Sequence, residues 1–311
     1  MTWPSPPGTA LSEGQLSAEL ATAVQDLAVA AARADGVAPL SEDVLLQLRH
    51  GSAAQARDLV LTSADGTLTG YAHLDAPDKE AQDGDASGEL VVHPAWRRRG
   101  LGTALVSALL ARASGHGIRL WAHGELPGAV ALAETAGFSR FRALLRLRTP
   151  LAAIPAGDQP APAGVSIRTF RPGADEEAWL AVNRRAFAHH PEQGSWTMAD
   201  LQLRESESWF DPGGFFLAER DGKLVGFHWT KVHPDGGDGA PIGEVYVVGV
   251  DPGQQGGGLG RALTLTGLTH LRRLGLADVM LYVDESNTAA VRMYTALGFT
   301  LWSTDAMYRH P

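Results

Sequence analysis

Cysteine is absent from the 311-residue chain. That excludes disulfides, thiolate metal sites and any cysteinyl-enzyme intermediate. An acyl group arriving as a thioester would have to pass directly to its acceptor or through another nucleophile. Long apolar runs are also missing, none approaching the roughly 20 residues needed to cross a bilayer. The opening MTWPSPPGTA has neither a basic stretch nor an apolar one, so no leader is read there, no membrane partner is expected, and a cytoplasmic location is. Positive charge is scarce. The 26 Lys and Arg against 35 Asp and Glu leave a formal charge of −9, which argues against a grip on nucleic-acid phosphates. Hydrophobic residues at 44% and charged residues at 20% fit a globular chain, long enough here for two domains.

Glycine is plentiful, and one cluster of it organises the sequence. Gly243 to Arg261 reads GEVYVVGVDPGQQGGGLGR, an apolar strand-like run, then small residues, then a helical pattern on Leu259, Leu263, Leu265, Leu268 and Leu271. Strand, glycine turn and helix start together hold phosphate, because glycine lets the backbone approach closely and the free N–H groups of a helix N-terminus face an anion. The spacing Gln255-x-x-Gly258-x-Gly260 is neither a Walker pattern nor a dinucleotide fingerprint.

A second copy lies upstream. Pro94, Arg97, Gly100 and Gly102 match Pro252, Gln255, Gly258 and Gly260 at one offset of 158 positions, and Ala136-Gly137-Phe138 matches Leu297-Gly298-Phe299 at 161. A repeat of this length is a duplicated domain. Each half alternates strands and helices, which predicts an α/β chain with a mixed (α+β) sheet in each half. The proline- and alanine-rich stretch 151–164 reads as a linker between domains 1–150 and 165–311. Locally, Ser12-Glu-Gly-Gln15 suggests a capping box for a first helix, Ser41 a cap for a second, and Asp65-Gly66 and Asp221-Gly222 two hairpin turns.

The duplicated glycine loops resemble the pyrophosphate loop of the GCN5-related N-acetyltransferases, and the resemblance covers nearly the whole chain. It implies two tandem domains of that family and acetyl-CoA as cosubstrate, with no metal. In that family the strand before the loop holds the acetyl and pantetheine groups and the loop holds the pyrophosphate. Carried onto this chain, Val248, Gly249 and Val250 would lie at the acetyl end. Gln255, Gly256, Gly257, Gly258, Leu259, Gly260 and Arg261 would surround the pyrophosphate, and Asn287, Thr288, Ala289, Ala290, Val291 and Arg292 would touch the cofactor's arm. The first half offers Leu90, Val91 and Val92, then Arg98, Arg99, Gly100, Leu101, Gly102 and Thr103, with Arg97 adding charge. The family usually carries arginines where this chain has Gly256-Gly257, so weaker, less salt-sensitive CoA binding is expected at the second loop.

Moving acetyl from a thioester to an amine needs a base for the ammonium and an acid for the thiolate. Glu244 opens the central strand and can serve as the base, although a solvated strand-start charge would look the same in sequence. Tyr294 lies two helical turns beyond Asn287, where the resemblance implies the acid; a packed aromatic is the alternative. At the repeat offsets Glu244 corresponds to Ala86, Asn287 to Leu126 and Tyr294 to Ala133, none able to move a proton. Catalysis is therefore expected in the second half, with the first as a binding or structural copy. His189-His190-Pro191-Glu192 has no third ligand at readable spacing and suggests no metal site.

The segments WAHG from Trp121, HPEQG from His190, GFHWTKVHP from Gly226 and GEVYVVGVDP from Gly243 resemble tandem members of the family that acetylate the cysteinyl amine of a cysteine–glucosamine–inositol pseudodisaccharide. That likeness implies Glu42, Glu192, Lys231, Glu244 and Tyr282 on the acceptor, where carboxylates suit an ammonium and sugar hydroxyls, and lysine and phenol supply donors. A monomer acting on a small amine is expected. Another small amine, a protein N-terminus, or a CoA-binding sensor without catalysis are the other readings.

Overall fold

The chain opens on a strand, β1 (Thr9–Glu13), where Ser12 suggests a helix cap. The computed structural model describes residues 8–51, 56–75, 84–113, 115–155, 161–188, 193–236 and 239–311. Five residues of β1 pair antiparallel with β2 (Arg57–Ser63), a long-range bond that local capping chemistry does not register. The cap is Ser17 instead, whose side chain accepts from Leu20 N ahead of α1 (Ala18–Asp35), and Gly36 ends that helix in the left-handed region. Ser41 caps α2 (Glu42–His50) as expected. There follow β3 (Leu68–Asp75), β4 (Ala86–Val92), α3 (Leu101–Arg112), β5 (Ile118–Ala122), α4 (Pro127–Thr135) and β6 (Ser139–Pro150).

The second half repeats the order with β7 (Val165–Thr169), α5 (Glu176–Ala186), α6 (Met198–Glu205), β8 (Phe215–Arg220) and β9 (Lys223–His233). Then come β10 (Ile242–Val250), α7 (Leu259–Arg273), β11 (Asp278–Asp284), α8 (Thr288–Ala296) and β12 (Thr300–His310). Thr197 and Asp200 form a reciprocal capping box at α6.

Contacts divide the chain into two compact units, Met1–Leu144 with Ser303–Pro311, and Leu145–Trp302. The ends are thus distributed differently from the boundaries at 150 and 165 suggested by the repeat. Residues Ala306–His310 of β12 run antiparallel to Ala122–Ile118 of β5, so the last strand segment completes the first unit. Leu147, Leu151 and Ile154 are buried in the core of the second unit. Leu151 N donates to Ala277 O at 2.8 Å, and Arg272 donates to the carbonyls of Leu151 and Ile154 at 2.5 and 2.6 Å. Leu151 and Ile154 therefore belong to the core, and the stretch from 151 to 154 is anchored by them.

In the first unit the strands run β1-β2-β3-β4-β5, antiparallel except for the parallel pair β4–β5 around α3. The second runs β7-β8-β9-β10-β11, with β10–β11 parallel around α7. Helix α7 lies against β9 because position 267 is glycine. A Cβ there would meet the buried His228 ring at 2.2 Å, and the His228 Nδ1–H donates to Leu263 O at 2.8 Å. The opposite face of β8 and β9 carries an aromatic cluster, in which Phe215 stacks on Trp229 at 4.5 Å and Trp179 packs edge-on to both.

Candidate active site in the second unit

The loop after β10 is built from the backbone outward. Asp251 accepts from Gly253 N at 3.0 Å and starts one tight turn over Pro252–Gln254. Gln255 Nε2 donates back to Val250 O at 3.3 Å. Gly256 and Gly258 then take φ of +86° and +80°, and a Cβ at 256, 257 or 258 would meet nothing within 4 Å. The first helical bond is Ala262 N to Gly258 O, so the N–H groups of Leu259, Gly260 and Arg261 lie in the turn that helix geometry leaves unpaired. This is an open, donor-rich cradle that suits a pyrophosphate.

Beside it the sheet splits. The parallel pairing of β10 with β11 covers Ile242–Val245 against Asp278–Leu281 and stops, while β10 continues to Val250 paired only with β9. Val248, Gly249 and Val250 consequently present a strand edge with no strand partner. The same split occurs in the first unit, where β4–β5 pairing ends at Gly88 and Leu120. The first loop also repeats the second: Arg98 and Gly100 have φ of 63° and 81°, and Arg97 Nε donates to Val92 O as Gln255 does to Val250 O. Leu90, Val91, Val92 and residues 98–103 thus occupy the places their counterparts hold. Arg97, however, forms a bidentate pair with Asp35 at 2.6 and 2.7 Å, and Arg99 stacks over Trp96 at 4.8 Å, so less cationic charge is open to a ligand than the sequence count suggests.

The central strands of the two units differ by one residue of backbone. In β10 the register with β9 slips between Val245 and Val247, leaving Tyr246 as a bulge. The β3–β4 ladder is regular through Ser87 to Val92. The extra residue changes the equivalence drawn from sequence offset: Glu244 sits opposite Lys231 as Ser87 sits opposite Asp75, so the counterpart of Glu244 is Ser87, not Ala86. Helices α4 and α8 are each nine residues long, which keeps Ala133 at the place of Tyr294 and Leu126 at that of Asn287.

Glu244 is 7% exposed. Its Oε2 accepts from His233 Nε2 at 2.5 Å. Across the ladder, the Lys231 ammonium lies 4.1 Å from the centre of the Trp209 ring and 5.0 Å from that of Tyr246. The Tyr246 hydroxyl accepts from Arg204 Nε at 2.9 Å. Glu244 is in register with Met280 on β11, and Tyr282, 41% exposed, stands two residues along the same face. Tyr294 is enclosed by the core and packs edge-on against Phe299 at 5.6 Å. Burial raises the pKa of its phenol above the ordinary tyrosine value. Among the described residues its hydroxyl has no hydrogen-bond partner. Asn287 caps α8 by accepting from Ala290 N at 3.1 Å, and Thr288, Ala289 and Arg292 are exposed on that first turn.

Of the acceptor residues expected from the sequence, Lys231, Glu244 and Tyr282 share one face of one sheet. Glu42 is the first residue of α2 in the first unit, and Glu192 lies outside the described residues. His233, Tyr246, Trp209 and Arg204 escaped the sequence reading. For His233 the signal was present, since Lys231 and His233 alternate onto one face. For the bulge there was none. Among the described residues no group of His, Asp and Glu has the arrangement of a metal site, and no helix is long and apolar enough to cross a membrane.

The corresponding face of the first unit carries different chemistry. Where β8, β9 and β10 align Phe215, Trp229 and Val247, strands β2, β3 and β4 align Asp58, His73 and Glu89. His73 bonds Asp58 at 2.8 Å and Asp75 at 3.1 Å, and His123 bonds Asp305 at 3.1 Å beside Glu89 at 3.7 Å. Burial opposes charge on both rings, but the carboxylates outweigh it and raise His73 to about 9 and His123 to about 10.

Two split sheets, each with a glycine cradle at a helix start, define a tandem acyl-CoA-type transferase fold. The sequence pattern of the acetyltransferase (GNAT) family matches residues 24–138 and 178–299, and the chain belongs to that family; it is an acetyltransferase, and enzymes of this family use acetyl-CoA. More particularly, it is 61% identical over 290 residues to the mycothiol acetyltransferase of Thermobispora bispora, covering 92% of this chain and 95% of that one. It is 59% identical over 302 residues to the mycothiol acetyltransferase of Thermomonospora curvata, covering 97% and 95%. Among solved structures, a GCN5-related N-acetyltransferase from Sphaerobacter thermophilus has a TM-score of 0.69 at 25% identity, over 96% of this chain and 95% of that one. A tandem GNAT protein of the clavulanic acid pathway, at 22% identity, has a TM-score of 0.71 over 97% and 98% and shares the fold.

Proposed function

We propose that this acetyltransferase moves acetyl from acetyl-CoA to the cysteinyl amine of a cysteine–glucosamine–inositol pseudodisaccharide, the step that completes mycothiol, and that the second unit alone performs the chemistry. The observation carrying the placement is the bulge at Tyr246, with Glu244 before it and Tyr294 across the split, against Ser87 and Ala133 in a regular first unit. The likeness to enzymes named mycothiol acetyltransferase supports the acceptor.

When bound, acetyl-CoA supplies the activated acetyl group. The loop from Gln255 to Arg261 takes its phosphates, the open edge at Val248–Val250 takes its acyl arm, and the first turn of α8 borders the cofactor. Glu244 removes a proton from the acceptor ammonium, directly or through one water. Lys231 and Tyr282 donate to acceptor hydroxyls. Tyr294 gives its proton to the departing thiolate. Its raised pKa keeps the phenol in the acid form through neutral pH, which is the form this role needs. Of the two protons lost by the nitrogen, one restores Tyr294 and the other leaves through Glu244, so each turnover releases one proton. The first unit keeps its cradle and holds CoA without turning it over.

The test is acetyl transfer to the pseudodisaccharide and to generic amines by wild type, Glu244→Ala and Tyr294→Phe. Turnover on the pseudodisaccharide falling by about a hundredfold or more in each variant is expected. Absence of wild-type turnover on that acceptor, with turnover on another amine, would move the assignment elsewhere in the family.

A further inference from the structure

We infer that His233 is the positioning residue of the base: it holds one carboxylate oxygen of Glu244 and leaves the other oxygen for the acceptor ammonium. The inference rests on the reading of Glu244 as general base and adds a residue to it. Cross-strand geometry makes the contact. His233 pairs with Ile242 and Lys231 pairs with Glu244, so both side chains of β9 stand on the face of the Glu244 carboxylate. The His233 Nε2 lies 2.5 Å from Glu244 Oε2. A carboxylate only accepts, so Nε2 must carry the proton.

The second oxygen is different. Among the described residues Glu244 Oε1 has no hydrogen-bond partner. One oxygen anchored and one presented is what a base needs, because a carboxylate free to rotate would spend most of its time misaligned. The side chain of Glu244 is 9% exposed and that of His233 29%, so the imidazole stands between the carboxylate and solvent.

Neighbouring charges do not do this work. Lys231 is directed onto the Trp209 and Tyr246 rings. Asp278, opposite Ile242 on β11, is paired with Arg148 at 3.0 Å. Arg146 is held over Trp302 and against Met280 Sδ, and Arg204 of α6 is bonded to Tyr246.

Three variants test the inference by the split between kcat and KM and by rescue. His233→Ala is expected to lower kcat about ten- to hundredfold, the worth of a hydrogen bond to a charged group. It should leave KM for acetyl-CoA unchanged. His233→Gln, whose amide reaches the position of Nε2, should recover most of the rate; His233→Asn, which is too short, should not. Wild-type kcat in His233→Ala, or equal losses in the Gln and Ala variants, would overturn the role. Glu244→Gln in parallel separates the layers. If it collapses while His233→Ala is unaffected, the base stands and the positioning role falls. If Glu244→Gln keeps wild-type turnover, the base reading fails and this inference fails with it.

Discussion

A buried imidazole titrates according to what surrounds it, and three histidines here bracket a pH range. His73 and His123 are held charged by carboxylates, at about 9 and about 10, whereas burial with only the Leu263 carbonyl as partner pushes His228 down to about 4. Unfolded histidine titrates near ~6.5. Above that pH the folded first unit binds more protons than the unfolded chain, so its stability declines as pH rises toward 9–10. Below it the unfolded chain gains a proton that His228 refuses, so the second unit weakens as pH falls toward 4. The unfolding midpoint is expected to peak between these limits, and Asp305→Asn should flatten the alkaline decline; thermal scans across pH measure both. At the second loop, Gly257 has ordinary φ and open space, so Gly257→Arg should tighten CoA binding a fewfold and make it more salt-dependent, read by titration at two ionic strengths. An affinity unchanged at both would refute the electrostatic difference between the loops.

At the scale of elements, the bulge and the helix–sheet contact define the second unit. One residue inserted at Tyr246 sets which face Glu244 occupies, since a slip of one position reverses every side chain upstream. Gly267 lets α7 settle on His228. Gly267→Ala is expected to destabilise the second unit by about 1–3 kcal/mol, measured by denaturant unfolding, because the Cβ has a buried ring in its place. Much of this architecture was legible in the sequence. The hairpin at Asp65-Gly66, the cap at Ser41 and both glycine loops are written in neighbouring residues, whereas the roles expected of Glu244 and Tyr294 come mainly from the family resemblance. What stayed hidden depends on partners far along the chain. Strand β1 exists only through β2, the bulge exists only in register with β9, and His233 meets Glu244 only after that register is formed.

At the scale of the molecule, a linear repeat of two halves conceals an exchange of ends. Ser303–Pro311 belong to the first unit, where Asp305 accepts from Gly124 N at 2.8 Å and pairs with His123, and Arg309 pairs with Asp85 at 2.7 Å. A chain cut after Trp302 should lose hydrogen-exchange protection in β2–β5 and keep it in β8–β10; a half cut at 150 should fail to fold for want of the same strand. The exchange leaves intact the proposal that the chemistry lies in the second unit. Both units hold an open glycine cradle beside a split sheet, but only the second has a carboxylate before a bulge and a phenol across the split. The most direct measurement is kcat for acetyl transfer to the cysteinyl pseudodisaccharide by Glu244→Gln beside Ser87→Ala, its counterpart in the first unit. A loss of about a hundredfold or more in the former and none in the latter is expected. Undiminished turnover by Glu244→Gln, or a comparable loss from Ser87→Ala, would contradict the placement of catalysis in the second unit.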